Sequence, residues 1–147
     1  DAAKVDSQSG QAAADSYDNL LNAYVAYNSN DILTVGKCLT DVDPGVLSES
    51  AAEIYNTMNE QVSEQYLSAM YNAGYEAYNT GDYDTAIENL LAVVEEDEAY
   101  KDGSAAYYLA QAYRRNDDLD SAQQYYRYIV ENYPGTERAT TAENYLD

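Results

Sequence analysis

Apolar residues recur along this chain at spacings of three and four, the period that gathers side chains on one face of an α-helix. Tyr17, Leu20, Leu21, Tyr24 and Tyr27 share such a face. They predict a helix from about Ala12 to Asn28, closed by the turn and cap Asn28-Ser29-Asn30-Asp31. A second helix is expected over 32–39, before the break Asp41-Val42-Asp43-Pro44-Gly45. Ser50-Ala51-Ala52-Glu53 has the form in which a hydroxyl and a carboxylate each satisfy a backbone amide at a helix start. Ile54, Met58, Val62, Tyr66, Met70, Ala73 and Ala77 then carry one long helix to Asn79. Further helices are predicted over 82–96, 104–116 and 119–132, with a short closing helix over 136–146 after Pro134-Gly135. Residues 1–11 lack this periodicity and read as a flexible leader. Strand formers are scattered, so the expected class is all-α, with one helical domain over 12–147.

The helices repeat. Gly74, Tyr83, Ala86, Leu90, Val93 and Val94 recur as Ala110, Leu119, Ala122, Tyr126, Ile129 and Val130, each displaced by the same step, 122 minus 86 or 36 residues. A third copy lies upstream, where 23–31 reads against 74–82 with five identities at a step of 51. The surplus in that step fits an extra stretch of helix over about 50–66. The small residues Gly74 and Ala110 are expected where a first helix approaches its partner closely, facing Ala86 and Ala122 on the returning helix. Tyr83 and Leu119 are expected to plug the turns. Hairpins are therefore predicted over about 12–40, 67–96 and 104–132.

With the segment Tyr71-Asn-Ala-Gly-Tyr-Glu-Ala-Tyr-Asn-Thr-Gly-Asp-Tyr-Asp-Thr-Ala-Ile87 the pattern resembles the tetratricopeptide repeat family. The next copy, 107–134, keeps the small residue, Tyr113, Ala122, Tyr126 and the terminal proline. The ending over 131–142 is similar to that of bacterial envelope-associated members. The resemblance implies a right-handed superhelical array of antiparallel hairpins and a scaffold that holds a protein or peptide. It also implies an extracytoplasmic or cell-envelope setting, and a concave groove lined by Tyr24, Tyr27, Tyr71, Tyr75, Tyr78, Tyr107, Gln111 and Arg114. Members that grip a C-terminal carboxylate use Lys, Asn and Arg where this chain has Tyr71, Tyr75, Tyr107 and Gln111. The alternative role is structural self-assembly into a dimer or larger array.

Composition narrows the partners. The net charge of −20 opposes binding to nucleic acid or anionic lipid. Residues 1–100 carry two basic and 19 acidic side chains, and 101–147 carry five and eight, so a patch of either sign is expected in the last third. There Arg114 and Arg115 either anchor an acidic group or form a solvated helix end beside Asp117 and Asp118. With 18 Tyr and neither Phe nor Trp, tyrosine fills the places of bulky aromatics. No stretch has the roughly 18 consecutive apolar residues of a membrane span.

Chemistry is sparse. Without His, and with Cys38 as the one cysteine, the usual nucleophilic triads and a cysteine metal site are excluded. The acidic clusters fall at predicted helix ends, where they cap amides. Neither enzyme activity, nor a cofactor, nor a metal is expected.

Overall fold

A computed structural model describes residues 2–147, with side chains from Gly10 onward. Seven α-helices follow one another: α1 (Ala2–Asn28), α2 (Ile32–Thr40), α3 (Glu49–Thr80), α4 (Tyr83–Glu96), α5 (Tyr100–Arg115), α6 (Leu119–Asn132) and α7 (Glu137–Glu143). A 3₁₀ turn at Pro44–Val46 separates α2 from α3, and no strand occurs among the described residues. The fold is all-α, built from consecutive packed helices as a tetratricopeptide-like array requires. The chain divides into two compact units, 1–69 and 70–147.

Two helix starts differ from the sequence reading, and a third, at Ser104, agrees with it. α1 begins at Ala2, ten residues before the apolar stripe, so the stretch read as a flexible leader is helical from there. Ala, Lys and Gln favour the helix, and no proline interrupts it. α3 begins at Glu49, capped by Ser48, whose Oγ accepts from the Ala51 N–H at 3.2 Å. The Tyr17 hydroxyl, 2.7 Å away, accepts the Ser48 N–H and thereby does the task expected of Glu53. In α5 the regular helix starts only after Lys101, Asp102 and Gly103, all three in left-handed conformation (φ 49°, 54° and 83°). That left-handed turn takes up the two residues by which the 36-residue step exceeds a standard 34-residue repeat.

The turns inside the hairpins prove the repeat residue by residue. Asn30, Gly81 and Asp117 adopt positive φ (62°, 86° and 62°), each directly before an aspartate. The N–H groups of Asp31, Asp82 and Asp118 reach back to the carbonyls of Ala26, Ala77 and Tyr113, at 2.9 Å in all three. Those of Asn30, Gly81 and Asp117 bond to Tyr27, Tyr78 and Arg114 at 3.1–3.2 Å. Together these two bonds satisfy the last carbonyls of the first helix. Each aspartate then accepts from the backbone three residues on, at Thr34, Thr85 and Ser121. The same side chain therefore opens the next helix. The upstream copy, weakest in sequence, has the same turn as the other two.

In the first unit Leu20, Ala23, Ala26, Val35, Leu39, Val42, Ala51, Met58 and Val62 form the core, with Tyr27, Cys38 and Tyr55 packed against it. Burial raises the Cys38 thiol pKa, assisted by Asp41 and Asp31. Gly36 is required by Tyr66, because a Cβ there would fall inside the tyrosine ring.

The second unit is held by the predicted small residues. Gly74 is buried, Ala86 and Ala110 are fully enclosed, and Ala122 is 2% exposed. A Cβ on Gly74 would lie 2.7 Å from Leu90 Cγ and 3.2 Å from its backbone N, so α3 and α4 touch at that point. Leu90, Val93, Tyr126 and Ile129 are fully buried. Tyr83 packs on Tyr78 with ring centroids 6.0 Å apart, but Leu119 is 59% exposed and plugs nothing. It lies at the first position of α6, directly after the cap, and an aliphatic side chain there lacks the reach of a tyrosine ring.

Candidate functional site

Tyrosine rings from the end of α3, from α5, from α6 and from the residues after α7 form one connected cluster in the second unit. Tyr71 and Tyr75, four residues apart on α3, stack at 6.1 Å. Tyr108 stands edge-on to Tyr75 at 4.8 Å and tilts against Tyr78 at 5.5 Å. Tyr107 meets Tyr108 at 5.2 Å. Tyr126 and Tyr145 stack at 5.3 Å. Gln123 holds the chain end in place: its amide donates to the Tyr145 carbonyl and accepts from the Asp147 N–H at 3.3 Å.

Hydroxyls and amides lace the rings together. Arg114 Nε donates to the Tyr126 hydroxyl at 3.0 Å, and that hydroxyl donates to Gln111 Oε1. Gln111 Nε2 donates to the Tyr107 hydroxyl at 3.3 Å. The Tyr71 hydroxyl and Ser104 Oγ are hydrogen-bonded at 2.7 Å, and Arg138 Nη2 donates to the same Oγ at 3.4 Å. Burial of Tyr126 pushes its hydroxyl pKa up to about 12, against the pull of Arg114. Tyr107 and Tyr108 are raised as well, chiefly by burial.

Two guanidiniums sit against these rings, Arg114 at 4.2 Å from the Tyr145 centroid and Arg138 at 5.6 Å and 5.8 Å from Tyr107 and Tyr108. Neither pairs with a carboxylate among the described residues. Burial pulls the Arg114 pKa down, and the Tyr126 hydrogen bond with the surrounding tyrosines outweighs that and raises it. In a chain of net charge −20, two half-buried cations held only by neutral partners stand out.

The residues foreseen as a groove lining separate into two groups. Tyr75, Tyr78, Tyr107, Gln111 and Arg114 all belong to this cluster, with Tyr75 37% exposed and the others half-buried. Tyr71 is buried with its hydroxyl committed to Ser104, so it supports the cluster and presents little surface. Tyr24 and Tyr27 belong to the first unit, where they line an open depression of about 310 Å³ with Ile54 and Met58. Tyr24 is 47% exposed, whereas the Tyr27 hydroxyl donates to Gln61 Oε1. Sequence reasoning missed Tyr108, Tyr126, Arg138 and Tyr145. A signal existed for Tyr108, which lies four residues from both Ser104 and Ala112 on the buried stripe of α5. None existed for Arg138, because α7 has no earlier copy in register.

Residues 71–136 match the family model of the tetratricopeptide repeat. This segment belongs to the tetratricopeptide repeat family. The last ten residues of α3, from Tyr71, and the whole of α4, α5 and α6, with the turns at Gly81 and Asp117, fall within the matched residues. No curated protein and no solved structure matches the chain. Tetratricopeptide repeats are in general protein-interaction modules that bind proteins or peptides and do no chemistry of their own. Among the described residues no helix is long and apolar enough to cross a membrane.

Proposed function

We propose that the chain is a non-catalytic scaffold whose second unit captures an extended peptide through the tyrosine cluster of α3, α5, α6 and the residues after α7. The observation that carries this is the run of ring contacts from Tyr75 and Tyr78 through Tyr108 to Tyr107, part exposed and continuous with Gln111 and Arg114. A tyrosine side chain offers a large apolar face and a hydroxyl at low entropic cost, which suits recognition of a peptide backbone. Selection of a random peptide display library on the purified chain tests this. A shared motif should emerge, and Tyr75→Ala should weaken its binding about tenfold, since ring contacts contribute of order 1 kcal/mol beyond area burial. Unchanged binding by Tyr75→Ala sinks the assignment of the surface.

A specific feature of the first unit favours a second reading, self-assembly. Tyr17, Leu21 and Val25 follow one another at four-residue spacing on α1, exposed by 41%, 61% and 58%, with Ile54 of α3 also exposed. An apolar stripe of this kind is the usual mark of a protein-facing surface. Light scattering over a wide concentration range separates the readings, and Leu21→Glu should keep an assembling chain monomeric. The acidic composition and the tyrosine-proline turn after α6 support a bacterial extracytoplasmic setting, which fractionation of the native host would test.

A further inference from the structure

We infer that the peptide taken by the second unit carries two acidic side chains three residues apart, read by Arg138 and Arg114. The inference rests on the tyrosine-cluster reading and adds the chemistry of its ligand.

The argument starts from charge. A guanidinium has five N–H donors. Arg114 uses two of them, on Tyr126 and Gln111. Arg138 reaches Ser104 and lies over the Tyr108 ring. The rest of each fork bonds to no described residue, although the chain has 27 carboxylates that could have been placed there. Both cations are half-buried and lie against aromatic faces, which leaves them less hydrated than an exposed lysine and readier to exchange water for a carboxylate. The neutral partners also keep the sites positive locally. More distant acids are screened beyond about 8 Å at physiological salt.

Spacing comes from α5. Arg138 docks at Ser104 and Arg114 at Gln111, seven residues later on the same helix. At 1.5 Å per residue the two anchor points are separated by roughly 10 Å. Tyr107 and Tyr108 lie between the two anchor points along the helix, in contact with each other and with Arg138. A polyproline II segment repeats its face every three residues and advances ~9 Å in doing so. Such a segment is also the conformation that aromatic-lined surfaces accept at low ordering cost. Acid at positions i and i+3 therefore meets both guanidiniums while the intervening backbone lies on the rings.

The test uses end-blocked proline-rich peptides of one length, titrated into the intact chain by fluorescence anisotropy. One peptide carries Glu at i and i+3, one Gln at both, and one Glu at i and i+1. The first should bind at least tenfold tighter than the second and measurably tighter than the third. Arg138→Gln should remove about fivefold of that advantage, the effect of a part-exposed ion pair with hydrogen bonds. Its binding to the Gln peptide should stay the same. Arg114→Gln should act similarly. Because Arg114 also supports Tyr126, Arg138→Gln is the deciding variant if the other is unfolded by circular dichroism.

Equal binding of the Glu and Gln peptides, or equal preference in Arg138→Gln, overturns the acid readout and leaves the tyrosine surface standing. Competition by inorganic phosphate alone at the same sites would mean a small anion is the ligand, and the peptide reading of the arginines falls. Oligomers that dissociate in Arg138→Gln would mean a second copy's acidic segment is the occupant, which also overturns it. If none of these peptides binds while a display library still selects others, the acid pair is wrong and the tyrosine surface survives; if the library selects nothing, both fall.

Discussion

Adding one methyl at Gly74 tests the packing on which the second unit depends. On an isolated helix, Gly→Ala stabilises by about 0.5–1 kcal/mol, because alanine gives up less backbone freedom. In α3 the new Cβ would lie 2.7 Å and 2.9 Å from Leu90 Cγ and Cδ2, and 3.2 Å from the Leu90 backbone N. Leu90 is fully buried on α4, so its side chain has no empty space to rotate into, and the backbone contact remains wherever the side chain goes. Overpacking of this kind costs about 1–3 kcal/mol. The balance is a net loss of about 0.5–2 kcal/mol for Gly74→Ala. Leu90→Ala alone should lose about 2–5 kcal/mol through the cavity it leaves. In the Leu90→Ala background the branch carbons are gone, so Gly74→Ala becomes roughly neutral there, and the pair couples by about 1–2 kcal/mol. Urea unfolding followed by far-ultraviolet circular dichroism and by tyrosine fluorescence measures all four corners of the cycle. The two probes also report whether the two compact units unfold together. Additivity within about 0.5 kcal/mol, or stabilisation by Gly74→Ala in both backgrounds, refutes the close approach of α3 and α4.

Other substitutions probe the turns and the buried hydroxyls. Asp117→Gly should raise stability by about 0.5–1 kcal/mol, and Gly81→Ala should lower it by about 1 kcal/mol, since both positions hold positive φ; thermal melts distinguish them. Asp82→Ala should cost about 1 kcal/mol by removing the cap on Thr85, and Asp82→Ser should restore most of it. At high pH the fold keeps Tyr126 protonated after an unfolded chain has lost that proton near pH 10. Its contribution is therefore complete below pH 10 and is lost as pH rises toward about 12. Urea midpoints measured across that range should fall, and more gently in Tyr126→Phe; an equal fall in both would show that Tyr126 is not the titrating group.

The hairpins were legible because close helix contact leaves a mark in composition: small residues stand at the enclosed positions Gly74, Ala86, Ala110 and Ala122. The upstream copy was legible at its turn, since Asn30-Asp31 repeats the chemistry of Gly81-Asp82. The start of α1 was not, because a helix carried by propensity alone shows no apolar period. Leu119 was misread by treating register as environment, although the same step that aligns it with Tyr83 says nothing of what lies opposite. Of the site, Tyr71, Tyr75, Tyr78 and Tyr107 followed from the family resemblance, whereas Tyr108, between them in the ring contacts, did not. Arg138 and Tyr145 come from a terminal element without a counterpart, and only their contacts with Tyr107, Tyr108, Tyr126 and Arg114 reveal them.

The doubled duty of Asp31, Asp82 and Asp118 limits how this chain can change in length. One extra residue between a first helix and its return would detach the aspartate from the carbonyl behind it or from the amide ahead, and both helices would lose an end together. The stretches over 41–48 and 97–103 have no such double constraint, and the second of them holds the two extra residues of the 36-residue step. Insertions engineered into this scaffold should therefore be tolerated between hairpins and rejected within them.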